Sequence, residues 1–166
     1  MKITKSFIFI ALIISNGVKQ SIAQHSGIPK VAVEVPCVDY HKKACMQLVE
    51  KGFVYNGQSK SGLFAKGQKS VLNVVLYKGT DYFISVCHEE KEPVAFTIKN
   101  KKTGEAIYDN AADNMTQQIE FSNENSVQAI IEVTIPGTGK EDKIKGQPGL
   151  CAGVLIETKR SEKKGF

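Results

Sequence analysis

The sequence predicts a mostly β fold, an antiparallel, jelly-roll-like β-sandwich with one short N-terminal α-helix. From Phe53 onward the apolar residues recur with a period of two, and the runs that carry them are rich in β-branched and aromatic side chains. Turn-forming residues separate the runs, and no helical pattern comes between them.

In chain order, VAVEVP (31–36) comes first; it alternates and is closed by Pro36, as a short strand would be. VDYHKKACMQLVEKGF (38–53) sets Val38, Cys45, Leu48 and Val49 on one side and Lys42, Lys43 and Glu50 largely on the other. With Asp39 as N-cap and Gly52 as stop, this reads as one amphipathic helix of about three turns packing on the rest of the chain. Strands are then expected at 69–77, 80–88, 93–100, 116–122, 126–136 and 151–159. Weaker ones are expected at 53–56, 62–65 and 105–108. The expected core includes Leu72, Val74, Leu76, Tyr82, Ile84, Val86, Phe96, Ile98, Ile119, Phe121, Ile131, Val133, Val154 and Ile156.

The ends set the compartment. Lys2 and Lys5 precede an unbroken apolar run from Phe7 to Ile14, and Ser21-Ile22-Ala23 offers small residues where a signal peptidase reads. Residues 1–23 are therefore expected to be a secretory signal peptide, cleaved after Ala23, and the protein periplasmic or extracellular. No later segment approaches ~18 consecutive apolar residues, so no membrane span is expected in the mature chain. The full sequence has 22 basic and 17 acidic residues, and three of the basic ones lie in the signal. A mature chain so close to neutral gives no reason to expect a nucleic-acid partner. The basic cluster Lys159, Arg160, Lys163 and Lys164 reads as a solvated C-terminus, with 161–166 a flexible tail. Residues 24–52 form an N-terminal strand and helix, and 53–160 the sandwich.

All four cysteines, Cys37, Cys45, Cys87 and Cys151, lie beyond the signal, and an even number in an oxidising compartment implies two disulfides. Three pairings are possible. Cys37 and Cys45 on one helix would stand ~12 Å apart along its axis, too far to bridge. Bridges from the N-terminal segment to the strands carrying Cys87 or Cys151 are preferred, unless Cys37 lies outside the helix and folds back.

The stretches Lys78-Gly79-Thr80-Asp81-Tyr82-Phe83-Ile84-Ser85-Val86 and Val94-Ala95-Phe96-Thr97-Ile98-Lys99-Asn100, continuing through Gly104 to Tyr108-Asp109-Asn110, carry a resemblance. They resemble the middle of a pre-peptidase C-terminal-like domain, with its Gly-x-x-Tyr strand and its strand ending in a polar Gly turn. Such domains are small jelly-roll-like sandwiches attached to secreted bacterial enzymes. The same stretches are similar to exported proteins of Gram-negative bacteria. The resemblance covers about 60 to 90 residues, and its motifs imply structure and not catalysis.

Four places carry reactive residue types. In Ser85-Val86-Cys87-His88-Glu89-Glu90, strand alternation sends Tyr82, Ile84 and Val86 to the core and Phe83, Ser85 and Cys87 the other way. Cys87 and His88 then point apart, so the stretch reads as a strand end. His41 and Cys45 share a helix face, but nothing nearby completes a metal site. Asp109, Asn110, Asp113 and Asn114 could surround a hard cation such as calcium, although Asp and Asn also favour tight turns. The chain has no Trp, and Tyr40, Tyr55, Tyr77 and Phe83 are the aromatics expected at the surface. No GxSxG, HEXXH or CxxC occurs, and no phosphate-cradling loop.

These readings favour a non-catalytic binding or assembly module of the bacterial cell envelope, without a cofactor. Its strand faces and its 136–149 loop would meet an envelope protein or a glycan. A calcium- or carbohydrate-binding sandwich and a small secreted hydrolase are the alternatives.

Overall fold

The computed structural model describes residues 35–137 and 149–161. Nine strands come after a short helical segment: β1 (Val54–Tyr55), β2 (Lys60–Phe64), β3 (Lys69–Leu76), β4 (Thr80–His88), β5 (Ala95–Asn100), β6 (Ala106–Asp109), β7 (Gln118–Asn123), β8 (Val127–Thr134) and β9 (Leu150–Arg160). They form two antiparallel sheets. One has the order β1-β9-β4-β7, with β2 also pairing β9, and the other runs β3-β8-β5-β6. The fold is an antiparallel β-sandwich. The chain crosses between sheets after β2, β3, β4, β6, β7 and β8, so β8 lands between β3 and β5, and β9 between β2 and β4.

Alternation explains which side chains meet between the sheets. Val74 and Leu76 of β3, Tyr82, Ile84 and Val86 of β4, Phe96 and Ile98 of β5, Ala129, Ile131 and Val133 of β8 and Val154 and Ile156 of β9 form one buried cluster. Leu72, Ile119 and Phe121 pack against it, so all fourteen expected core residues belong there. Tyr82 is fully buried, and its hydroxyl accepts the Tyr77 N–H at 2.7 Å. The buried end of the aromatic side chain thereby ties down the turn that precedes its own strand.

The N-terminal segment departs from expectation. Instead of three turns, α1 runs only from Tyr40 to Ala44, the chain is extended at Cys45, and a separate 3-10 turn covers Val49–Lys51. The physical cause lies in sheet contacts that compete with helical hydrogen bonds. Ser85 Oγ donates to the Met46 carbonyl at 2.8 Å, and the Leu48 N–H donates to Glu157 Oε2 at 2.7 Å. Cys45 is bonded to Cys87 of β4. As a result Cys45 and Leu48 are buried as expected, while Val38 and Val49, assigned to the same side, are exposed. Asp39 stands at the N-cap position with a φ of 55° and caps nothing with its side chain. Gly52, at φ 79°, does end its turn.

This segment covers the outer face of β4 and β9. Leu48, Phe53 and Phe83 make a second small cluster there, so Phe83 is buried and not at the surface. Burial along β4 and β9 is therefore nearly continuous, because both faces are covered. The close approach depends on Gly153, where a Cβ would lie 2.8 Å from His41 Cβ and 2.9 Å from its Cα. Lys159 is no part of a solvated tail, since β9 runs to Arg160 and Lys159 Nζ sits 4.6 Å from the centre of the Phe53 ring. Of the expected 31–36 strand, only Val35 and Pro36 lie within the described residues, and they are not strand. The expected signal peptide (1–23), residues 138–148 of the long loop, and the expected tail beyond Ser161 lie outside them.

Candidate binding site

The cysteines pair as Cys37–Cys151 and Cys45–Cys87. Both bridges join the N-terminal segment to a strand of the sheet beneath it, the preferred kind of pairing. Cys37, at φ 65°, lies outside α1, yet it bridges to β9 and does not fold back to Cys45. His88 ends β4, and its Nε2 donates to the Glu92 carbonyl inside its own turn.

His41 is buried and stacked on Tyr55, its ring centroid 5.9 Å away. Its Nδ1 lies 2.9 Å from Ser61 Oγ and its Nε2 3.3 Å from the Tyr55 hydroxyl. Ser61 has one proton, which it donates to the Cys37 carbonyl at 2.8 Å. The imidazole must therefore donate from Nδ1 to Ser61, and Nε2 must accept from Tyr55. A nucleophile–base pair needs the opposite polarity, with the serine donating to histidine. Burial holds His41 below its ordinary pKa, with Asp39 opposing and Lys42 and Lys60 adding to the effect. The neutral ring acts as a strut between α1, β1 and β2.

In the 109–114 loop the candidate ligands divide. Asn110 is fully buried: its Oδ1 accepts the Phe96 N–H at 2.8 Å, and its Nδ2 donates to the carbonyls of Val94 at 2.8 Å and Thr116 at 3.2 Å. Asp109 Oδ1 accepts the Ala111 N–H at 2.9 Å, as in an Asx-turn, and Asp113 Oδ2 accepts the Tyr108 hydroxyl at 2.8 Å. Burial, then Asp113, raises the Tyr108 pKa to about 12. Asn114 is exposed at φ 48°. Among the described residues no group of three or more His, Cys, Asp or Glu is placed to hold a metal ion.

Asn110 has a companion in Gln117, which accepts the Val94 N–H at 2.9 Å and donates to the carbonyls of Val94 at 3.0 Å and Met115 at 2.7 Å. Two carboxamides thus close the sandwich beside β5. On the other side, where the edges of β2 and β3 face one another without pairing, the core is open. There an apolar slot of about 180 Å³ lies between the sheets, lined among others by Phe64, Leu72, Ile131, Val133, Ala152 and Val154. A dry cavity of ~150 Å³ is enough to hold a benzene ring. Ser61, Ser70 and Lys60 stand in its lining, which contains no carboxylate.

Among the described residues, the backbone beside this slot has no strand partner. Strand β3 is the end strand of its sheet. The Val75 N–H donates to Gln58 Oε1 at 2.6 Å, and Gln58 Nε2 donates to the Val75 carbonyl at 3.1 Å. Gln58 therefore occupies the place of one peptide unit of a neighbouring strand. Ladder direction alternates along an antiparallel strand. Val75 points away from β8, so Asn73, Val71 and Lys69 do too. The Ile135 N–H bonded to the Gln68 carbonyl at 2.9 Å fixes the same parity at the other end. Among the described residues, no backbone group pairs with those three. Sequence reasoning missed Gln58, Gly153, Glu157 and the slot. The sole local hint was Phe64 in a weak, glycine-containing strand.

Fold and site together define a disulfide-clamped β-sandwich with an open apolar slot between β2 and β3. No protein-family model matches the chain, and no curated protein does. Among solved structures, one similar to it is PliG of Aeromonas hydrophila, a periplasmic inhibitor of g-type lysozyme. The two are 14% identical, the match covers 69% of this chain and 93% of that one, and the TM-score is 0.42.

Proposed function

We propose that this protein is an exported, non-catalytic binding module of the bacterial cell envelope, and that the slot between β2 and β3 receives a protein partner. One observation carries the reading. An apolar slot lined by core side chains lies open beside a strand edge that is unpaired among the described residues, while across the core Asn110 and Gln117 bond the start of β5. Apolar concave surface of this kind is where binding sites form. The two disulfides support export, because such bonds persist in oxidising compartments. Other features support a non-catalytic role: every cysteine is bridged, and the Ser61–His41 pair has the wrong polarity for attack. Kinship with the pre-peptidase C-terminal-like domains is part of the same proposal.

The test is capture from envelope fractions with the tagged, oxidised protein and with Ser70→Phe. Ser70 lines the slot from β3, and the larger ring would fill it. A partner retained by the wild type should be depleted about tenfold or more by Ser70→Phe, and retained by Asn125→Ala, an exposed position outside the slot lining. The same proteins captured by all three forms would remove the slot from the function.

A further inference from the structure

We infer that the partner enters this site as an added strand: a short extended segment, apolar at alternate positions and acidic between them, pairing with β3 from Lys69 to Asn73. The inference rests on the proposed binding role and specifies what the slot takes.

Three observations lead to it. The first is Gln58, whose carboxamide donates to and accepts from Val75 as a strand neighbour would. The edge therefore has the hydrogen-bonding geometry that strand addition uses, and Gln58 blocks it beyond Val75. The accessible stretch is limited to Lys69, Val71 and Asn73. The second is position. A segment paired there sends alternate side chains to the inner side, next to Ser70 and Leu72 in the slot lining, and the others to the outer face beside Lys69 and Val71. Slot-facing positions must then be apolar.

The third is charge. Lys69, on the outer face of the edge, reaches Glu132 only at 3.9 Å. Glu132 is held more closely by Lys99 at 2.6 Å, which with Lys69 keeps its carboxyl below the usual range. The outer face of the edge thus presents a cation with little local compensation, and acidic residues at the outward positions of the incoming segment complement it.

The test uses two synthetic peptides, acetylated and amidated: seven residues alternating valine with glutamate, and the same with lysine for glutamate. Binding to the oxidised protein is read by fluorescence anisotropy, and amide exchange is read residue by residue. The glutamate peptide should bind the wild type at least about tenfold more tightly than the lysine peptide, and should slow exchange at Val71 and Asn73. Val71→Pro removes the outward N–H from an edge strand, where proline is tolerated, and should weaken binding by about tenfold or more. Binding unchanged in Val71→Pro but lost in Ser70→Phe would overturn strand addition and leave the slot reading intact. Binding unchanged in both would overturn both. A wild type that ignores the glutamate peptide at millimolar concentration, prefers the lysine peptide, or binds without protecting Val71 and Asn73 would overturn the inference. Exchange on the wild type needs no variant, so the test survives a Val71→Pro chain that does not fold.

Discussion

Asn110 illustrates how a single residue sets the local backbone. A buried amide that satisfies one N–H and two carbonyls removes three desolvation penalties of about 1–3 kcal/mol each. Asn110→Asp would lose both donations and bring a carboxylate into a fully buried site. We expect its melting temperature to fall by at least about 10 °C, with no recovery on adding calcium. A calcium site at 109–114 would give the reverse, a variant stabilised by the ion, so calorimetry with calcium and with chelator decides between the two. In the sequence, Asn110 was visible only as one of four clustered oxygen donors. Local spacing could not separate the one that turns inward from the three that stay exposed.

Among the elements, the N-terminal segment is held chiefly from outside. A five-residue helix has almost no stability of its own. Two bridges clamp it, with sequence separations of 114 and 42 residues. Loop-closure entropy alone assigns them about 5 and about 4 kcal/mol, respectively. Cys45→Ala with Cys87→Ala should therefore lower the unfolding free energy by about 4 kcal/mol in denaturant titration. The same variant should expose Leu48, Phe53 and Phe83, which a rise in binding of an apolar dye would report. Loss below about 1 kcal/mol without added dye binding would mean that Glu157, Ser85 and Gly153 suffice to hold the segment.

For the molecule as a whole, the sandwich is asymmetric, and the asymmetry has a measurable consequence. β4 and β9 are central in their sheet and covered on both faces, whereas β3 is an edge with outward amides beside an open slot. Opening energies track such differences in burial. In the free protein, amides in the middle of β4 and β9 should exchange at least about a hundredfold more slowly than those of Val71 and Asn73. Equal protection at those two positions would show that the edge is already occupied.

The sequence by itself determined the strands from residue 53 on, the fourteen core positions, the even cysteine count and the inward–outward alternation of β4. Each of these is a local periodicity or a composition, and a period of two survives whatever the strand packs against. Tertiary structure decided the rest. The expected helix was cut to five residues because a glutamate 109 positions away takes the Leu48 N–H. Phe83 was buried because that same segment covers its face. The open side arose because β2 and β3, each paired to a strand more than fifty residues away along the chain, leave their facing edges unjoined. Those outcomes depend on which distant groups satisfy a given donor or face, and that choice is made only when the sheets assemble.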